Sequence, residues 1–119
     1  MANVLVVDDA EFMCLTIKQM LEAEGHNMVG QASNGVEAME KFVELRPDVV
    51  ILDITMPEMN GIEALKRIKI IEPNAKIIIC SALAQKDLLA KAIEVGAKEF
   101  IVKPFKAEQL MEAIEKVLD

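Results

Sequence analysis

The sequence predicts an α/β domain built as a doubly wound (βα)5 fold around a five-stranded parallel sheet, and three observations predict it. First, the runs Val4-Leu5-Val6-Val7, Val49-Val50-Ile51-Leu52 and Ile77-Ile78-Ile79-Cys80 are apolar throughout and rich in β-branched residues. Strands covered on both faces read this way, without polar alternation. Second, stretches with helical periodicity fill the intervals between them. Third, strand and helix patterns alternate five times with short joints, which favours parallel strands linked by right-handed crossovers.

The elements follow in order. Strand one is expected over 4–7. A helix over 11–24 carries Met13, Ile17, Met20 and Leu21 on one stripe, and Gly25 can end it. A weaker strand is expected over 27–32. Ser33-Asn34-Gly35 reads as a cap before a helix over 36–45, and Pro47 bars that helix from running into strand three at 49–52. A helix over 62–71 stops ahead of Pro73. Strand four is expected over 77–80, and a helix over 85–95 stops at Gly96. A second weak strand over 99–102 leads into a last helix over 107–118, with Leu110, Ile114, Val117 and Leu118 on one side.

Composition bounds the function. The 119 residues suit one domain, taken as 1–119, and 53% hydrophobic residues exclude a disordered chain. The net charge of −7 repels phosphate backbones, so nucleic-acid binding is not expected. No apolar run approaches the ~20 residues of a membrane span. The start Met-Ala-Asn-Val lacks a basic n-region, so a signal peptide is not expected and the cytoplasm is. Cys14 and Cys80 sit in apolar settings and read as reduced, packed thiols.

The polar residues that end strands carry the chemistry. Strand one ends at Asp8-Asp9, strand three at Asp53, strand four at Ser81 and strand five at Lys103. In a parallel sheet these ends share one edge, where ligands bind at the switch in winding direction. In the order 2-1-3-4-5, the established flavodoxin-like arrangement rather than one read from this sequence, strands one and three are neighbours. Asp8, Asp9 and Asp53 then crowd together. Crowded carboxylates repel, and a hard divalent cation such as Mg²⁺, bound through oxygens, relieves this. Lys103 offers a compact positive charge for a phosphoryl oxygen, and Ser81 a hydroxyl donor. A carboxylate can attack phosphorus as a nucleophile, and positioning with charge neutralisation supplies most of what such a transfer needs. Singly, each residue has a plainer reading: helix capping for Asp8, Asp9 and Ser81, a strand end for Asp53, a solvated lysine for Lys103. Together they favour a site.

The motifs Val6-Val7-Asp8-Asp9, Asp53-Ile54-Thr55-Met56-Pro57-Glu58-Met59-Asn60-Gly61, Cys80-Ser81-Ala82 and Lys103-Pro104-Phe105 resemble, in this order, those of response-regulator receiver domains. Within that family the chain is similar to the single-domain chemotaxis regulators of CheY type. The resemblance implies Asp53 as the phosphoacceptor and Mg²⁺ held by Asp9, by Asp8 largely through water, by Asp53 and by the backbone carbonyl of Thr55. It implies that Ser81 and Lys103 reach the phosphoryl group, that Phe100 occupies the position of a switch aromatic without its hydroxyl, and that the Lys103–Pro104 bond is cis. It implies a switch protein rather than a conventional enzyme. The implied partners are a CheA-type sensor histidine kinase, an output target such as a flagellar or archaellar motor switch or an adaptor protein, and a phosphatase. A monomer is expected.

Several residues admit two readings. Phe100 suits core filling as well as switching. The resemblance implies that Thr55 and Leu83 stand at the two positions that tune phosphoryl lifetime; both lack a charged or amide group to orient an attacking water, which suits modest self-dephosphorylation. Met56 and Met59 fall in the active-site loop, and the lone His26 reads as a surface residue. Glu108, Glu112, Glu115 and Lys116 form either a solvated helix face or part of an output surface. Other functions fit parts of the pattern. A phosphorelay intermediate would pass phosphate on to a histidine phosphotransfer protein. A phosphohydrolase of the haloacid-dehalogenase type needs Asp-x-Asp after its first strand, where this chain has adjacent aspartates. A receiver cut from a transcription regulator is the last alternative.

Overall fold

Five strands and five helices alternate along the computed structural model, which describes residues 1–54, 60–82 and 86–119. They are β1 (Asn3–Val7), α1 (Glu11–Ala23), β2 (Asn27–Ala32), α2 (Gly35–Leu45), β3 (Val49–Asp53), α3 (Gly61–Ile71), β4 (Ile77–Ala82), α4 (Lys86–Val95), β5 (Glu99–Lys103) and α5 (Ala107–Leu118). All strand pairs are parallel, and the order is β2-β1-β3-β4-β5. The expected fold class and strand order are therefore those of the molecule.

Period-two alternation splits the apolar strands between two cores. Leu5, Val7, Val50, Leu52, Ile77 and Ile79 face α2, α3 and α4, packing with Phe42, Leu65, Ile68 and Ala92. Val4, Val6, Val49, Ile51, Ile78 and Cys80 face α1 and α5, packing with Ile17, Leu21, Leu110 and Ile114. Both faces of the central strands are thus dry, which is why these runs lack polar alternation. Among the described residues, no helix is long and apolar enough to cross a membrane.

Register aligns the strand ends. Val7 pairs with Leu52, Asp53 with Cys80, and Ala82 with Lys103. Two strands run further than the apolar patterns indicate. β3 ends at Asp53, as its strand-end reading has it, and β4 takes in Ser81 and runs one residue past it to Ala82. The parallel partner supplies ladder bonds that hold these polar residues extended, a tertiary effect that local pattern does not carry.

The caps follow sequence logic. Asn34 caps α2 by accepting from the Glu37 N–H at 2.9 Å, and Asn60 caps α3 by accepting from the Glu63 N–H at 2.9 Å. The Ser33 backbone N–H and hydroxyl both donate to the Glu37 carboxylate, at 2.8 and 2.9 Å. These bonds hold the Glu37 carboxyl below its ordinary range. Gly25 and Gly96 have φ of +84° and +128°, the left-handed turns that end α1 and α4. Two expectations need correction. His26 is half-buried rather than a plain surface residue: its Nδ1 accepts from the Ala2 N–H at 2.9 Å and fixes the start of β1. Phe100 does not fill the core, being 42% exposed on β5.

The two-core packing sets a contrast in stability. Ile79 is fully buried in β4, whereas Ile70 is 79% exposed on α3. Ile79→Ala is expected to cost about 2–5 kcal/mol in urea unfolding. Ile70→Ala is expected to stay within about 0.5 kcal/mol of the parent protein.

Candidate functional site: a carboxylate cluster at the sheet edge

The site begins where β1 leaves the sheet. The Asp8 N–H donates to the Ala32 carbonyl at 3.0 Å, tying Asp8 to the end of β2. One Asp8 carboxylate oxygen accepts from the Ala10 N–H at 2.9 Å, and the other from the Lys103 ammonium at 2.8 Å. Asp8 thus has both oxygens engaged in a position only 3% exposed. Asp9 beside it faces solvent. The capping reading of these aspartates is met only in part: α1 has Ala10 at its N-cap, and Asp8 serves that residue's N–H from outside the helix.

Asp53 ends the neighbouring strand and is 6% exposed. Its carboxylate lies 3.7 Å from the Lys103 ammonium. Carboxylate oxygens of Asp8, Asp9 and Asp53 all fall within 4.8 Å of one another. Three carboxylates therefore face one ammonium, an excess of negative charge at short range. Burial draws the Lys103 pKa down, but the hydrogen bond it donates to Asp8 and the charges of Asp53 and Asp8 outweigh it, so the pKa ends above the ordinary lysine value. Lys103 is a firmly held cation. The Lys103–Pro104 bond is cis, as the resemblance implies.

Ser81 completes the group from β4. It is 1% exposed, and its hydroxyl oxygen has no hydrogen-bond partner among the described residues. A buried hydroxyl left in this state costs about 1–3 kcal/mol, so it marks a place where an acceptor is expected. The chemistry of the set fits a hard cation: three carboxylates converge, with neither His nor Cys among them.

The structure brings together Asp8, Asp9 and Asp53 with Lys103, and places Ser81 in register with them one residue beyond the pair of Asp53 and Cys80. Phe100 stands apart, lining a hollow with Glu99, Gln109 and Lys116 between β5 and α5. Thr55, Leu83, Met56 and Met59 lie outside the described residues.

Two features escaped the sequence reading. One is the direct bond between Lys103 and Asp8, since both had been assigned to ligands rather than to each other. The other is the role of Gly61. Its N–H donates to the Ile54 carbonyl at 2.8 Å, and the first turn of α3 rests directly on the backbone after β3. A Cβ at Gly61 would collide with the Asp53 carbonyl and come to 2.6 Å from the Ile54 Cα. The Asn-Gly pair just before a helical stretch was the signal: a capping residue followed by the one residue that permits such close approach.

The profile of the response regulator receiver domain matches residues 4–115. The chain belongs to this family. It is 54% identical over 115 residues to the chemotaxis protein CheY of Thermotoga maritima, covering 97% of this chain and 96% of that protein. It is 53% identical over 117 residues to the chemotaxis protein CheY of Bacillus subtilis, covering 98% of each. Among solved structures, it resembles the CheX–CheY–BeF3–Mg²⁺ complex from Borrelia burgdorferi. The TM-score is 0.93 at 38% identity, covering 98% of this chain and 89% of that one. The receiver domain is thus a phosphoacceptor switch by family, and its acidic cluster is able to hold a metal.

Two measurements test this geometry. Gly61→Ala places a methyl against backbone that cannot rotate away. It is expected to lower urea stability by about 2 kcal/mol or more, although alanine alone would favour the helix. The second is pH dependence. Burial pushes the Cys80 thiol up to about 12 and the Cys14 thiol to about 11, from an ordinary value of 9.0. The folded state then keeps protons that the unfolded chain releases, so stability is full below about pH 9 and falls as pH rises toward those values. The raised Lys103 acts with the same sign at higher pH. Unfolding between about pH 8 and about pH 10.5 should show this decline, and Cys80→Ala should shallow its slope.

Proposed function

We propose that Asp53 accepts a phosphoryl group from a phosphohistidine on a sensor histidine kinase of CheA type, and that the phosphorylated domain controls a partner in a chemotaxis pathway. One observation carries the reading: the Asp53 carboxylate sits at a nearly buried strand end, 3.7 Å from the Lys103 ammonium and within the cluster of Asp8 and Asp9. An Asp53 oxygen attacks phosphorus, the P–N bond to imidazole breaks, and the imidazole leaves with the electron pair and takes up a proton. The product is an acyl phosphate. Lys103 lies where it neutralises a phosphoryl oxygen, and the Ser81 hydroxyl donates to another.

Mg²⁺ is the cation this reading assigns to Asp8, Asp9 and Asp53, joined by the Thr55 carbonyl; when bound, it offsets the charge of the carboxylates and of the transferred group. Residues 1–119 act as one cytoplasmic, monomeric receiver domain that does not bind nucleic acid. The output target is a motor switch or adaptor protein, and a phosphatase resets the switch. With its hydroxyl absent, Phe100 contributes to switching through ring packing alone. The similarity to two CheY proteins along nearly their whole length supports the chemotaxis assignment.

Labelling by acetyl phosphate in the presence of Mg²⁺ tests the acceptor. Asp53→Ala should abolish the label and Lys103→Ala should reduce it at least roughly tenfold, as loss of a transition-state charge does; a label that survives Asp53→Ala overturns the assignment. Mg²⁺ should also raise the melting temperature, because it binds only the folded cluster. Asp8→Ala/Asp9→Ala should remove that rise, and an unchanged melting temperature in the parent protein counts against a cation here.

A further inference from the structure

The surface holds a second recognisable feature, on the α1 side of α5, which shares only Glu112 with the hollow that Phe100 lines. A groove of about 400 Å³ runs between the C-terminal half of α1 and α5. Met20, Ala23 and Met111 line it, and the two methionines are the half-buried outer layer of the core beneath α1 and α5. Methionine is flexible and polarisable, so a methionine-lined groove adapts to varied apolar side chains.

Its rim has one sign of charge. Glu24 stands on the α1 side, and Glu108, Glu112 and Glu115 on the α5 side. Glu112 shares Lys116 at 3.5 Å. Among the described residues, no cation pairs with Glu24, Glu108 or Glu115. Apolar floor and acidic rim together select a complementary ligand. Another copy of this chain would set glutamates against glutamates, on top of a net charge of −7, and an anionic membrane is repelled for the same reason.

We propose that the α1–α5 groove docks an amphipathic helical segment of a partner protein, with apolar side chains entering between Met20 and Met111 and flanking Lys or Arg side chains meeting the glutamate rim. This is helix-in-groove recognition, steered by charge. None of the residues that line it belongs to the Asp53 cluster, and the proposal does not rest on phosphotransfer. The α5 glutamates that read as a solvated face in the sequence are, on this reading, the rim of a docking site.

The full chain can be titrated with a synthetic Leu/Lys amphipathic peptide of about 14 residues, some four helical turns. The expected result is saturable amide shifts in the ¹H–¹⁵N spectrum centred on Met20, Ala23 and Met111, and no shifts with the matching Leu/Glu peptide. The exposed double reversal Glu108→Lys/Glu115→Lys should weaken binding at least roughly tenfold. The same reversal on other helices, Glu63→Lys/Glu94→Lys, changes net charge equally and should leave affinity nearly unchanged. Equal loss from both reversals would reduce the effect to net charge and overturn the proposal. Shifts centred on Phe100 or α4, or no binding at all, would also overturn it. If raising protein concentration without peptide, or adding anionic phospholipid vesicles, shifts the same amides, the occupant is a second copy or a membrane and the proposal fails.

Discussion

A hydrogen bond 2.8 Å long joins Lys103 to Asp8 across 95 residues of sequence, and the working edge of this domain is arranged around it. Asp8 is almost wholly removed from water, a placement that would be very costly for an unpaired carboxylate. Removing the partner of such a buried charge costs about 3–5 kcal/mol, so the pair constrains both strands that present it. β1 must end at Val7 and β5 must reach Lys103 for the bond to form. The order β2-β1-β3-β4-β5 separates these two strands by β3 and β4, so the long lysine stem must cross the edge, passing Asp53 on the way. The Asp53 carboxylate is thereby held between its acidic neighbours and the Lys103 ammonium.

That arrangement makes the site responsive to what is attached at Asp53. A phosphoryl group adds charge and strong acceptor oxygens. On the reading proposed above, such a group at Asp53 would compete with Asp8 for Lys103 and give the Ser81 hydroxyl the acceptor it lacks among the described residues. Either change alters the relative stability of two arrangements of the same edge, and a ligand shifts an equilibrium only through such a difference. The unsatisfied serine, worth about 1–3 kcal/mol, is of the size that typical coupling energies require.

Much of this was legible in the sequence, for identifiable reasons. Val49-Val50-Ile51-Leu52 announces a central strand because both of its faces are dry, and Asp53 stands out because it ends that run. The Asn34 cap was legible in Ser33-Asn34-Gly35, since capping is a local interaction, while the same local signal at Asn60-Gly61 went unread. What escaped depends on residues distant in sequence. The continuation of β4 past Ser81 to Ala82 is imposed by its parallel partner at Lys103. The anchoring of Ala2 by His26 and the contact of Gly61 with the backbone of Asp53 are likewise tertiary. The outward position of Phe100 could not be read from periodicity either, because β5 is an edge strand with one side open to the surface.

The two helices that border the methionine groove also connect it to this edge in a defined way. α1 starts just after Asp8-Asp9, and α5 starts shortly after Lys103. The Asp8–Lys103 bond therefore joins the segments from which both helices depart. A change in that bond acts on the two helix starts, whereas a segment wedged between Met20 and Met111 acts on the spacing of the helices further along. Packed helices of this kind tend to shift as rigid units, because a close-packed core resists continuous deformation. If the two helix spacings differ in free energy between the free and modified edge, groove and edge are thermodynamically linked, and the linkage is reciprocal. Its sign depends on which spacing the docked segment favours. The fold thus supplies a physical route from the Asp53 edge to the α1–α5 groove, by way of the two helix starts.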